Sequence, residues 1–164
     1  MSIFKNLFKK EEITEIVVTS PLKGKVISLK EVNDGVFSEE LLGKGCAIIP
    51  EEGKLVSPFD ADVVMTFPTG HAIGLKNEMG VELLIHIGLE TVNMNGDGFE
   101  VHVRQGEKVK EGDLLVSFSK EKIRNYGYND TTMIVVSNTS NFSEVRQLCE
   151  GEVQLQQPIL QIGQ

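Results

Sequence analysis

Gly80-Val81-Glu82-Leu83-Leu84-Ile85-His86-Ile87-Gly88 is the stretch that decides how this chain is built. Val81, Leu83, Ile85 and Ile87 take every second position, and Glu82, Leu84 and His86 fall between them. A period of two is the pleat of a strand with one face turned to a core. His86 therefore leaves the more apolar face. Upstream, His71-Ala72-Ile73-Gly74-Leu75-Lys76 reads as a second strand, and Asn77-Glu78-Met79-Gly80 joins the two as a turn. A hairpin through that turn is expected to bring His71 and His86 together.

The same pattern extends in both directions. Short β-rich runs separated by Gly, Pro, Asn and Asp predict strands near Ile16–Thr19, Lys25–Leu29, Cys46–Ile49, Lys54–Val56, Asp62–Phe67, His71–Lys76 and Val81–Ile87. Further strands are expected near Phe99–Val103, Leu114–Phe118, Met133–Ser137 and Val153–Gln156. Helix signal is confined to single turns over Ser38–Leu42, Lys120–Arg124 and Ser143–Leu148. So many strands with short turns predict an all-β, antiparallel sandwich with a few short helical turns. Ser20-Pro21-Leu22 and Ser57-Pro58-Phe59 echo each other, each a turn that opens onto a β-branched strand. The phrase Val103–Leu114, with Gly106 and Gly112 at its corners, resembles the barrel-sandwich hybrid shared by biotinyl and lipoyl carrier domains. Residues 1–14 are expected to form a tail, with Ile3, Phe4, Leu7 and Phe8 at helical spacing, and residues 15–164 one domain.

Bulk properties narrow the function. The net charge is −8, and Lys5, Lys9 and Lys10 are the only charges in residues 1–10, so the remaining 154 residues carry −11. A body that acidic repels phosphate backbones, which argues against nucleic acid as a partner. No apolar run reaches the ~20 residues that span a bilayer, and no secretory signal is legible. A cytoplasmic location is expected; residues 1–10, whose lysines would contribute about 1 kcal/mol each near anionic lipid, read either as a weak, reversible membrane contact or as a disordered solubilising tail. Cys46 and Cys149 form no CxxC pair and read as small apolar fillers.

Chemistry is sought at the histidines. Neutral imidazole is a nucleophile near pH 7, because its ordinary pKa is about 6.5. One imidazole could accept a phosphoryl group while the other binds its oxygens; the same pair could instead give two ligands to zinc. Thr69 and His71, two residues apart, are about 6.5 Å apart by strand rise, within reach of a side-chain hydrogen bond. Spacing alone leaves phosphoryl transfer and zinc binding open.

Four segments, in order, carry a resemblance: Asp34-Gly35-Val36-Phe37-Ser38, Thr69-Gly70-His71-Ala72-Ile73-Gly74-Leu75, Leu84-Ile85-His86-Ile87-Gly88-Leu89-Glu90-Thr91-Val92 and Asn95-Gly96-Asp97-Gly98-Phe99. From about residue 16 to the end the chain resembles the glucose-type enzyme IIA of the sugar phosphotransferase system. The resemblance implies that His86 takes a phosphoryl group on Nε2 from the phosphohistidine of HPr and gives it to the cysteine of an enzyme IIB domain of a sugar permease. It implies that His71 binds the phosphate, that Thr69 sets the His71 tautomer, and that the Gly88 carbonyl sets that of His86. Val36, Phe37, Leu41, Leu42 and Phe67 would form an apolar docking rim, edged by Asp34 and Glu90, the latter where the family often has Asp. No cofactor is implied as required, and zinc at His71 and His86 would be adventitious. His102 lies outside these motifs and reads as an exposed strand residue.

Two rivals fail on particular residues. A biotinyl or lipoyl domain needs its lysine in a Met-Lys-Met or Asp-Lys-Ala setting, and neither tripeptide occurs. A lysostaphin-type zinc hydrolase needs His-x-x-x-Asp and His-x-His, but Leu75 follows His71 at the first spacing and Arg104 follows His102 at the second.

Overall fold

Burial along β7 (Glu82–Ile87) alternates as its sequence does, with Leu83, Ile85 and Ile87 closed to solvent and Glu82, Leu84 and His86 partly open. Each closed side chain contributes about 1.5–3 kcal/mol relative to exposure. β7 lies inside an eight-stranded sheet seen in the computed structural model, which describes residues 15–164. The expected tail, and with it the membrane contact of residues 1–10, lies outside the described residues.

The large sheet runs β13 (Gly151–Val153), β2 (Gly24–Ile27), β3 (Lys44–Pro50), β11 (Thr132–Val136), β7, β6 (Ala72–Lys76), β5 (Ala61–Thr66) and β9 (Lys108–Val109). β14 (Pro158–Gly163) lies between β1 (Glu15–Thr19) and β12 (Glu144–Gln147), and β10 (Leu114–Phe118) lies between β4 (Lys54–Val56) and β8 (Phe99–Val101). All pairings are antiparallel. The sheets close on one core that includes Val26, Ile48, Leu75, Ile85, Leu115, Ile134 and Leu160. A smaller cluster of Leu29, Phe37, Ala47, Met133 and Val135 covers the other face of the large sheet, beneath His86. The all-β antiparallel sandwich expected from the sequence is the fold found.

The two Ser-Pro echoes meet each other and are bonded alike. Ser20 and Ser57 are fully buried, and each hydroxyl donates to the carbonyl two residues on, Leu22 at 2.6 Å and Phe59 at 2.7 Å. The Val56 amide donates to the Pro21 carbonyl (2.9 Å), and the Thr19 amide to the Pro58 carbonyl (3.3 Å). The Ser20 amide reaches the Gln157 carbonyl at 2.7 Å, and the Ser57 amide that of Asp113 at 2.8 Å. The corner at Gly112, with φ +91°, thus has a counterpart at Gln156, with φ +67°. The repeat is a property of the backbone as well as of the letters.

Three local expectations are corrected. Ser143–Leu148 is not a helical turn: its centre is β12, whose residues alternate in exposure against β14. The strand expected over Val153–Gln156 ends at Val153, where the Gln156 corner begins, and β14 follows it unanticipated. Ser38–Leu42 forms hydrogen-bonded turns without a helix, because the chain passes through a left-handed residue at Glu40 (φ +59°). Lys120–Asn125 is a helix, α1, capped by the Ser119 hydroxyl on the Lys122 amide. Cys46 and Cys149 are both free thiols, Cys46 fully buried.

The paired serines generate a test. Ser20→Ala and Ser57→Ala each leave a buried carbonyl without its hydroxyl donor, so each should lower unfolding stability by about 1–3 kcal/mol. Urea unfolding should give two similar losses. A loss at one serine only would contradict their equivalence.

Candidate functional site

The β6–β7 hairpin sets His86 opposite Ala72, and the Ile87 amide donates to the His71 carbonyl at 2.6 Å. Phe67, Thr69, His71 and Ile73 take every second position in the sequence but do not share one strand face. Phe67–Gly70 is a turn, closed by the Gly70 amide on the Phe67 carbonyl at 2.9 Å, and the chain bends at His71. Ile73 stays in the core with Ile85, whereas the His71 ring lies against His86 on the other side. Gly70, at φ +66°, makes the bend possible; a Cβ there would sit 2.8 Å from that of Phe99.

The two imidazoles are 4.9 Å apart between centroids and nearly perpendicular, at 80°. Phe37 flanks His86 at 5.2 Å, and Phe67 flanks His71 at 5.4 Å. Each ring has a different neighbour at Nδ1. His86 Nδ1 is 2.8 Å from the Gly88 carbonyl oxygen, and His71 Nδ1 is 2.6 Å from Thr69 Oγ1. A carbonyl oxygen only accepts, so neutral His86 carries its proton on Nδ1 and a lone pair on Nε2. A hydroxyl both donates and accepts, so Thr69 is compatible with either tautomer of His71.

Burial favours the neutral form of both rings. Burial, with the neighbouring His86 adding to it, lowers the His71 pKa to about 4. His86 is also lowered by burial, against the opposing pull of its bond to the Gly88 carbonyl and of the Asp34 carboxylate. For Asp34, partial burial acts upward but loses to hydrogen bonds from the Ser38, Phe37 and Val36 amides and the Ser38 hydroxyl, so its carboxyl is held below the usual range. The Phe37 and Ser38 amides lie 3.1 and 2.9 Å from its oxygens. Asp34 thus fixes the turn that carries Phe37.

The remaining residues named from the sequence surround this pair unevenly. Val36, Leu41 and Leu42 are exposed, Leu41 by 66%, and Phe67 is half-buried. Phe37 is only 5% exposed, so it lies beneath the rim and not on it. Glu90 is exposed in a left-handed conformation, φ +64°, with its carboxylate 3.4 Å from the Asn93 amide group. His102 is exposed just past β8 and bonds Ser117 at 2.8 Å. Thr91, Asn129 and Thr131 pack behind Gly88; Thr91 lies in a segment that carries the resemblance but has no role assigned from sequence, and Asn129 and Thr131 carry no local signal that links them to His86.

The comparisons match this geometry to known proteins. Residues 16–142 match the family described as phosphoenolpyruvate-dependent sugar phosphotransferase system, EIIA 1. The chain belongs to this family. It is 47% identical over 149 residues to the beta-glucoside-specific EIIBCA component of the PTS system of Bacillus subtilis (strain 168), covering 90% of this chain and 24% of that protein. The chain therefore spans about a quarter of that curated relative. Among solved structures, glucose permease IIA from Mycoplasma capricolum matches with a TM-score of 0.81 and 34% identity, over 90% of this chain and 95% of that one.

Among the described residues no helix is long and apolar enough to cross a membrane, and no three His, Cys, Asp or Glu side chains converge as a metal site.

The lowered His71 pKa gives a pH test with a definite sign. Between about pH 6.5 and 4 the unfolded chain binds a proton that the folded chain refuses, so stability is full above that window and is lost as pH falls through it. His71→Gln should show a shallower loss of unfolding free energy over the same window. An unchanged slope would mean that His71 is not held neutral by the fold.

Proposed function

We propose that this protein is a phosphoryl carrier in sugar uptake, with His86 as the residue that bears the group. The observation that carries the reading is the asymmetry of the two Nδ1 contacts. A carbonyl on His86 Nδ1 commits Nε2 to a lone pair; the hydroxyl on His71 makes no such commitment. In the transfer, the His86 Nε2 lone pair forms a bond to the phosphorus of the HPr phosphohistidine. The bond from phosphorus to the donor nitrogen breaks, and that nitrogen keeps the electron pair. The second transfer runs the same way, with an enzyme IIB cysteine thiolate as the attacking group.

His71 supports both steps without carrying the group. When Thr69 donates to His71 Nδ1, the His71 proton sits on Nε2, where it can be donated to a phosphoryl oxygen. When Thr69 accepts instead, His71 Nε2 also holds a lone pair, and the two rings together offer two nitrogens to Zn²⁺. A tetrahedral zinc needs four ligands, so the chain supplies half a site and a partner or water must complete it. Zinc binding would use the nitrogen that the phosphoryl group needs. The neutral pair, His71 buried and His86 half-buried, suits transfer near pH 7, because most of the His86 population keeps its lone pair free.

Val36, Leu41, Leu42 and Phe67 form the proposed docking rim, with Phe37 supporting it from below and Asp34 and Glu90 at its edge. The same rim serves HPr and enzyme IIB in turn, on the cytoplasmic side where both are found. A body of formal charge −11 draws in a partner with a basic face and speeds encounter at low salt.

Intact-mass spectrometry tests the reading after incubation with enzyme I, HPr and phosphoenolpyruvate. The protein should gain one acid-labile phosphoryl group, and His86→Gln should gain none. His71→Gln should gain it yet pass it poorly to enzyme IIB, Leu41→Asp should gain it slowly, and added Zn²⁺ should suppress the gain. Full phosphorylation of His86→Gln would end the assignment.

A further inference from the structure

The Gly88 carbonyl commands the His86 tautomer, so what holds that carbonyl is itself a matter for catalysis. It belongs to a turn rather than a strand. β7 ends at Ile87, and Gly88 leaves it at φ +79°. A flexible glycine in that position has no intrinsic reason to keep its carbonyl aimed at one imidazole nitrogen.

Two sets of contacts fix the turn. From the β11 side, the Gly88 amide donates to the Thr131 carbonyl at 3.1 Å and the Leu89 amide to the Asn129 carbonyl at 2.9 Å. The Asn129 side-chain oxygen accepts in turn from the Thr131 amide at 2.9 Å and hydroxyl at 2.8 Å. From the other side, the Thr91 hydroxyl donates to the Ile87 carbonyl at 2.5 Å. Thr91 is fully buried, and its methyl stands so close that a Cβ on Gly88 would meet it at 2.5 Å. The Ile87 carbonyl belongs to the peptide plane that leads into Gly88. Holding it fixes one of the two planes that flank Gly88; the other, which carries the Gly88 carbonyl, is held by the Leu89 amide on Asn129, and the two together set that carbonyl's direction.

We propose that Thr91 is a positioning residue for phosphoryl transfer: through the Ile87 carbonyl its hydroxyl keeps the Gly88 carbonyl on His86 Nδ1 and so keeps Nε2 the free nucleophilic nitrogen. The inference rests on His86 being the carrier. The Thr91 hydroxyl bonds the Ile87 carbonyl and not an imidazole nitrogen. Its effect is on which nitrogen of His86 holds the proton, a property that packing alone does not determine. The methyl and the hydroxyl are separable, since the methyl fills space beside Gly88 while the hydroxyl makes the bond.

The experiment uses the full chain labelled with ¹⁵N, in three forms: wild type, Thr91→Ser and Thr91→Val. Long-range ¹H–¹⁵N correlation reads the His86 tautomer without any transfer taking place, and phosphorylation by phospho-HPr is timed in parallel. Thr91→Ser, which keeps the hydroxyl, should hold the Nδ1-protonated tautomer and the wild-type rate. Thr91→Val should mix the two tautomers and slow transfer by about tenfold, the scale on which groups that orient an imidazole act elsewhere. If Thr91→Val does not fold, Thr91→Ala carries the same expectation and the same refutation. A pure Nδ1-protonated tautomer in the folded variant without the hydroxyl would overturn the proposal, as would equal loss in Thr91→Ser, which would assign the effect to the methyl. Failure of the wild type to gain phosphoryl at His86 would instead overturn the functional reading, leaving the tautomer result to stand or fall by itself.

Discussion

One hydrogen bond organises the site: the 2.8 Å contact between His86 Nδ1 and the Gly88 carbonyl. Its value lies in what a carbonyl cannot do. It cannot donate, so it admits only one neutral tautomer, and the nitrogen left with a lone pair is the one farther from the backbone. Geometry around it serves that end. β7 brings His86 out of the core face by strict alternation, and the chain turns sharply at Gly88, where any side chain would strike Thr91 and Asn129.

The second constraint is electrostatic. Two imidazoles 4.9 Å apart repel if both are charged, and a phenylalanine ring flanks each of them. Burial and mutual proximity hold His71 neutral down to about pH 4. Asp34 works against this on His86, but its carboxylate is already satisfied by the amides of its own turn. Burial outweighs that carboxylate and holds His86 below its ordinary pKa, a setting in which an imidazole remains a nucleophile instead of becoming a cation.

Much of the architecture was legible because alternation is a local signal. Val81 through Ile87 names its buried face residue by residue, and the Ser-Pro echo announces a repeat that the hydrogen bonds later reproduce. The misses occurred where local signals are ambiguous or absent. Glu144–Gln147 is as readable at helical as at strand spacing, and only pairing with β14 decides it. β14 itself was missed because its corner uses Gln156 where the equivalent corner has Gly112, and a glutamine does not advertise a left-handed turn. At the site, the nearness of His71 and His86 followed from the hairpin, while the bend at His71 did not, because nothing in Thr69-Gly70-His71 says which way a permissive glycine will turn. The roles of Thr69 and Gly88 came from family resemblance. The placing of Phe37 on the rim also came from family resemblance; its burial belongs to the second apolar cluster beneath the sheet, which is a tertiary fact.

The most direct test locates the phosphoryl group itself. Long-range ¹H–¹⁵N correlation with ³¹P detection on the phosphorylated protein assigns it to a particular nitrogen. The expected result is a single phosphoryl group on His86 Nε2, with the His86 Nδ1 proton still bonded to the Gly88 carbonyl. A phosphoryl group on His86 Nδ1, or on His71, would contradict the role given to that carbonyl.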